Sequence, residues 1–191
     1  MGKNIKNKFS NKKVVIFIPS IEFGGVEKNL KIVSNYLCKK LKNTILITSN
    51  NNVKKEFDNR IKFISPKFKF TNNLGRRLKT LVCLFLLLKV YLREKNIIIL
   101  SFQANNFAII FAYLFNISII TRSNTAPIGW SNNIFKKIIF NLLLKIPKCI
   151  IVNSKEFKKK IDKEFNIKSK LIYNPFLKIE KNLIFKKKNI D

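Results

Sequence analysis

Apolar residues fall along the chain in two alternating rhythms, short uninterrupted runs and longer stretches striped at helical spacing. Val14 to Pro19 reads VVIFIP, the continuous β-branched and aromatic run of a strand buried on both faces. Gly24-Gly25 break the chain, and apolar positions 26, 30, 33, 37 and 41 then mark one face of a helix over 26–41. Strands are predicted at 44–48 (TILIT) and 61–64, followed by a helix over 76–95 that is apolar nearly all round at its centre. Residues 97–121 carry no charge, yet Gln103, Asn105, Asn106, Asn116 and Ser118 would be costly in hydrocarbon. The stretch reads as strand 97–102, helix 105–115 and strand 117–121. A helix over 131–145, strand 149–152 (CIIV), a charged helix over 156–165 and strand 170–173 (KLIY) complete the pattern.

Alternating units with doubly buried strands predict an α/β fold, a doubly wound, mainly parallel sheet with helices on both faces. The expected organisation is a basic, disordered head over 1–12, one Rossmann-like domain over 13–175 and a tail over 176–191 without a clear partner. No internal repeat is visible. Ligands of such sheets sit at the carboxyl ends of the strands, beside the reversal in strand order. That selects four places: Ser20–Glu27, Ser101–Asn106, Arg122–Ala126 and Ser154.

With 191 residues, 47% of them hydrophobic, the chain can bury one core and cannot hold two full-sized domains. Its net charge of +29 is the outlier and suggests an anionic partner, either nucleic acid or a membrane surface. Base-composition bias accounts for it better: Lys outnumbers Arg 34 to 5, and Asn, Ile and Phe, whose codons are also rich in A and T, are in excess with it. A surface selected for phosphate would favour Arg. No specific nucleic-acid partner is therefore expected, although a basic nucleic-acid-binding protein remains the alternative of a different class.

Cys38, Cys83 and Cys149 are widely spaced and odd in number, and the chain has no His. A disulfide framework and a zinc site both fail, so no metal and no cofactor is expected. The same absence removes Ser-His and Cys-His nucleophile pairs. The basic start ahead of Val14–Ile18 superficially resembles a signal peptide, but Pro19 and Glu22 interrupt it, and Lys6 argues against myristoylation of Gly2. A cytoplasmic location follows as the expectation.

Within the four loops, Gly24-Gly25 ahead of a helix would let a diphosphate or carboxylate approach free backbone N–H groups, or would supply a turn its angles. A nicotinamide dinucleotide site is disfavoured, because G-x-G-x-x-G is absent and the second strand ends in Thr48-Ser49-Asn50. A P-loop motif is absent as well. Arg122 stands alone in a long apolar stretch at the end of a strand, suited to an acidic group of a ligand. Glu27 in a first helical turn favours the dipole or meets a ligand. Ser154 is first an N-cap. Asn105 and Asn124 are turn formers or ligand contacts. Lys158, Lys159 and Lys160 read as a solvated face, and Gly129 with Trp130 as an anchored turn. On the wheel of 131–145, Phe135, Ile138, Ile139 and Leu142 form the stripe opposite an outward arc of Lys136, Lys137, Phe140 and Leu144. That arc predicts contact with an anionic membrane surface.

The segment VVIFIPSIEFGGVEKNL resembles the opening of the amino-terminal half of GT-B glycosyltransferases, specifically retaining family 4. CIIVNSKEFKKKI is similar to that family's strand, Ser, helix segment, KLIYNPF to the I-x-N-P that closes its first domain, and ISIITRSN to its fifth strand. The resemblance covers about residues 13–177. It implies the acceptor-binding half of an enzyme that moves a sugar from a nucleotide-sugar donor to a glycan or lipid-linked acceptor. The implied substrate-binding residues are Gly24, Gly25, Glu27, Gln103, Asn105, Arg122, Asn124 and Ser154. Two departures stand out: Gln103 lies where many members carry a His, and the nucleotide-sugar-binding second domain is not in these 191 residues. The half-enzyme is therefore expected to be inactive alone, with a degenerate truncated product as the bland alternative. Peripheral attachment to the inner face of a membrane would suit a lipid-linked acceptor.

Overall fold

The computed structural model describes residues 12–22, 24–41, 43–67, 74–124 and 134–175. Within them lies one seven-stranded sheet in the order β3-β2-β1-β4-β5-β6-β7, with every pair parallel. The strands are β1 (Lys13–Phe17), β2 (Thr44–Ile47), β3 (Lys62–Ile64), β4 (Ile97–Ser101), β5 (Ser118–Ser123), β6 (Cys149–Val152) and β7 (Lys170–Leu171). The helices are α1 (Gly25–Lys40), α2 (Arg76–Arg93), α3 (Asn105–Leu114), α4 (Ile134–Leu143) and α5 (Lys155–Phe165), with a short 3-10 turn at Lys54–Glu56. The head up to Asn11, the turn at Gly129–Trp130 and the tail from Phe176 lie outside the described residues.

Strand alternation sorts the core into two faces. Val15 and Phe17 pack with Ile45, Ile99 and Ile119 under Cys83 and Leu87 of α2 and Ile109 of α3. Val14, Ile16 and Ile18 point the other way, onto Leu30 and Cys38 of α1 and onto Phe57 and Ile61. A third cluster joins α4 and α5 over Ile150 and Val152. The uncharged stretch 97–121 is β4, α3 and β5, as its polar residues require, and no helix among the described residues is long and apolar enough to cross a membrane. From β1 the chain winds outward to β2 and β3, then returns through α2 to β4 and winds the opposite way. The reversal lies between β1 and β4, which pair along their whole length from Lys13↔Ile97 to Phe17↔Ser101.

Four local expectations change. β5 runs on to Ser123, because Arg122 and Ser123 pair with Ile151 and Val152 of β6, so Arg122 belongs to the sheet rather than to a loop. β7 keeps only Lys170 and Leu171. Lys158 is not simply solvated: it pairs with Asp162 and donates to the Ser169 carbonyl at 2.7 Å, tying α5 to the entry of β7. The fourth change reverses a helix. Leu144 just beyond α4 is buried and Phe140 is half-buried, both against the α5 cluster, whereas Ile138, Ile139 and Leu142 are more than half exposed. Phe140 and Leu144, the apolar members of the arc read as a membrane contact, are thus the packed ones, while Lys137 is exposed. Both arcs carry large apolar residues, so the pattern identifies a helix without fixing its rotation; Leu144 settles it by reaching the α5 side of the core.

The reversal has a measurable consequence. Leu144→Ala should cost about 2–4 kcal/mol of unfolding free energy, the usual range for emptying a packed site. Leu142→Ala should stay within about 0.5 kcal/mol, as exposed substitutions do. Denaturant titration of the two variants distinguishes the orientations, and equal losses would mean α4 is rotated otherwise.

Candidate functional site

The loops that leave β1 and β4 at the reversal part around a cleft of about 600 Å³. Pro19, Ser20, Glu22, Val26 and Glu27 form one wall, Phe102 to Phe107 another, Arg76, Arg77 and Thr80 of α2 a third, and Arg122 to Asn124 at the end of β5 the floor. Parallel topology is the cause: every helix that follows a strand starts at the carboxyl edge, so α1, α2 and α3 all begin here. Their N-caps, Gly24, Gly75 and Ala104, make no side-chain capping bond, in contrast to Ser154, which accepts from Phe157 N at 3.1 Å and caps α5. Uncapped N-termini present free N–H groups and the positive end of the helix dipole.

Neither glycine of the pair holds a left-handed backbone; Gly24 has φ −143° and Gly25 is the first residue of α1. The turn-angle explanation for Gly-Gly therefore falls away, and space remains. A Cβ on Gly24 would come within 2.8 Å of Glu27 Oε2, while one on Gly25 would meet nothing within 4 Å. Glu27 Oε1 accepts from Glu22 N at 3.4 Å and from Gln103 Nε2 at 3.5 Å. Gln103 Oε1 in turn accepts from Ser20 N at 3.3 Å. The Gln at this position therefore acts as a brace between the β1 and β4 loops. Glu22 receives Arg76 Nη2 at 3.0 Å, and that guanidinium holds the carboxyl below its usual range.

Arg122 is the centre of the floor. It is 4% exposed. Its Nη2 donates to Asn174 Oδ1 at 2.7 Å and its Nε to Asn124 Oδ1 at 3.3 Å, and the guanidinium carbon sits 5.9 Å from the centroid of the Phe102 ring. Among the described residues its acceptors are thus neutral amides, with no carboxylate in salt-bridge range, and burial pulls its pKa below the ordinary value. A buried guanidinium with two amides and one aromatic face is short of compensating charge. Asn105 supports the same floor: its Nδ2 donates to the Arg122 carbonyl at 3.1 Å, and its Oδ1 accepts from the Ser101 hydroxyl at 2.7 Å. Between Gln103 and Asn105, Ala104 is held at φ 52°, ψ 38°, a left-handed conformation unusual for Ala.

The structure therefore brings Glu27, Gln103, Asn105, Arg122 and Asn124 to one cleft, and leaves Gly24 and Gly25, at the start of α1, and Ser154, the α5 cap, outside the lining. It adds Arg76, Arg77 and Thr80 from outside the four selected places, and the Phe102 ring from within one of them. A signal for the first two was present, since they are two of only five arginines and stand side by side after Gly75. Asn174 gains a reason too: the Asn-Pro pair closing β7 supplies the acceptor that seats Arg122.

No family model and no curated protein matches the chain. Solved structures do. The chain is similar to crystal structures of Anabaena Alr3699/HepE in complex with UDP and glucose (14% identity, TM-score 0.59, 86% of this chain), with UDP (12%, 0.56, 86%) and with UDP-glucose (12%, 0.59, 86%). It spans 45%, 44% and 44% of those chains, less than half of each. At such identities the likeness is one of fold, the Rossmann-like α/β half of a GT-B architecture.

Two stability measurements probe the site without a ligand. Arg122→Met should leave the unfolding free energy unchanged or raise it by about 1 kcal/mol, because it removes an undercompensated buried charge. A loss above about 2 kcal/mol would make Arg122 a structural residue. Ala104→Gly should add about 0.5–1 kcal/mol by relieving the left-handed Ala. Thermal or denaturant unfolding reads both.

Proposed function

We propose that this chain is the acceptor-side domain of a GT-B glycosyltransferase of the family 4 kind. The observation that supports it most is Arg122, a buried cation on the floor of a cleft where three uncapped helix starts meet. Such a place is suited to an anionic group on a sugar-bearing ligand, a phosphate or a carboxylate. In this proposal the cleft holds the glycan or lipid-linked acceptor, and the Gly25 side, open for 4 Å around a would-be Cβ, admits the donor's diphosphate against the start of α1. The donor class, a nucleotide sugar, is suggested by the UDP and UDP-glucose that Alr3699/HepE binds in the structures it resembles. The base and ribose would be gripped by a second domain across the cleft, as the 45% coverage suggests. A cytoplasmic location is part of the same proposal.

Chemically, the described cleft offers positioning more than proton transfer. Glu27 accepts two hydrogen bonds from its own neighbours, Glu22 is paired with Arg76, and the remaining polar groups are amides, hydroxyls and cations. Positioning of two reactants is worth ~7–11 kcal/mol when both walls are present. One wall delivers little of it.

Purified residues 1–191 are accordingly expected to show no transfer from UDP-glucose and to bind glucose 1-phosphate weakly, as followed by ligand-observed NMR. Arg122→Met should weaken that binding about ten- to a hundredfold, the worth of one to two charge-assisted hydrogen bonds. Neutral glucose should be indifferent to the change. Robust transfer by residues 1–191 alone, or binding of the phosphate that ignores Arg122, would overturn the proposal.

A further inference from the structure

The crossovers place α2, α3 and α4 on one face of the sheet, α2 beside α3 and α3 beside α4. Each buries one stripe against the strands and turns a second apolar stripe outward. On α2 the outward stripe is Leu78, Leu81, Phe85 and Leu92. On α3 it is Ile110, Tyr113 and Leu114, the last 70% exposed. On α4 it is Ile138, Ile139 and Leu142, the last 64% exposed. Isolated exposed apolar residues are ordinary, but three adjacent stripes are not. With α2 about 27 Å long and neighbouring helices about 10 Å apart, they form a continuous layer larger than the few hundred Å² common on monomers.

Charge identifies the occupant. Between Asp58 and Glu156 the sequence contains one acidic residue, Glu94, and it is paired with Lys13 at the far end of α2. The three helices therefore carry no carboxylate, while Lys89, Arg93, Lys137 and Lys145 stand exposed among or beside the stripes. Lys89 Nζ lies 4.4 Å from the centroid of the Phe85 ring. A second copy of the chain docking through the same face would bring one basic rim against another, which charge repulsion opposes. A bilayer with anionic headgroups answers both properties at once: its acyl region takes Leu, Ile and Phe, and its phosphates take the lysines.

We propose that the outer face of α2, α3 and α4 docks this protein on an anionic membrane surface, lying on the bilayer without crossing it. This proposal goes beyond sugar transfer and stands or falls separately from it. The geometry relates the two: α2 and α3 start at the cleft, and Phe107 both lines the cleft and lies at the outer surface. The cleft therefore opens at the edge of the docked face, at headgroup level.

Flotation of the full chain tests the proposal with phosphatidylcholine vesicles containing one-third phosphatidylglycerol, in the absence of any nucleotide or sugar. The protein should float with them, less with pure phosphatidylcholine, and less again at high salt. Phe85→Ser with Ile110→Ser and Ile138→Ser should lower partitioning about tenfold or more, since each change removes an apolar insertion. Circular dichroism should show that the variant folds, because all three positions face solvent. Independently of any variant, a photoactivatable lipid in the same vesicles should label wild-type peptides from 76–93, 105–114 and 134–145. Failure of the wild-type chain to float, unchanged flotation of the folded triple variant, or labelling confined to α1 or α5 would each overturn the proposal. So would a dimer in sedimentation that the same substitutions dissolve while vesicles bind nothing.

Discussion

A strand cannot hand the chain to a parallel neighbour without crossing a face of the sheet, and this requirement organises the whole molecule. Every crossover except that from β2 to β3, which holds only a 3-10 turn, uses an α-helix to return the chain to the amino edge, so each α-helix begins at the carboxyl edge. The register from Lys13↔Ile97 to Phe17↔Ser101 places β1 at the point where winding reverses. The loops after β1 and β4 therefore lead to helices on opposite faces and part between them. The cleft is what that divergence leaves open. The same rule puts α2, α3 and α4 on one side as an unbroken layer, so the cleft and the exposed apolar face share a boundary by topology.

Within that frame, local costs gather around the cleft. Arg122 gives up hydration for two amides and an aromatic face, and Ala104 holds a left-handed backbone. α1, α2 and α3 begin without side-chain caps, whereas α5, away from the cleft, has the Ser154 cap. Each of these costs is on the order of 1 kcal/mol. The interior of the sheet shows the opposite character, with Val15, Ile16, Phe17, Leu46, Ile47 and Ile99 wholly buried. Stability is concentrated in the strands and spent at their carboxyl ends, the distribution expected of a site held for a ligand rather than for the fold.

The strands were legible because doubly buried parallel strands need uninterrupted β-branched runs, and VVIF, TILI, IIILS and CIIV each provide one. Helix positions were legible for a similar reason, since the spacing of apolar residues over 26–41 matches the faces that α1 buries. Rotation was not legible in α4, where Phe140 and Leu144 face one way and Ile138 and Leu142 the other. An apolar pattern with two sides gives a helix and no direction; tertiary packing chooses. At the site, Glu27, Gln103 and Asn105 followed from strand ends and turns. Arg76 and Arg77 could not be placed that way, because α2 reaches the cleft only through the long return from β3 to β4. Arg122 was noticed for its isolation, but its seat on Asn174 spans 52 positions in sequence and belongs to the fold alone.

The net charge of +29 looks different once it is placed on this architecture. A genome rich in A and T inflates Lys wherever coding permits, and it does not deplete Asp or Glu, whose codons also carry A and T. Bias can thus explain abundant lysine everywhere but not the confinement of carboxylates to particular stretches. Eight of the ten acidic residues can be placed: Glu22 and Glu27 at the cleft, Glu56 and Asp58 beside α1, Glu94 just past the end of α2 and paired with Lys13, and Glu156, Asp162 and Glu164 on α5. Across α2, α3 and α4 there is none, and those are the helices whose outward stripes are apolar. Composition gives the chain its lysines; the fold decides where they are left without a counter-charge.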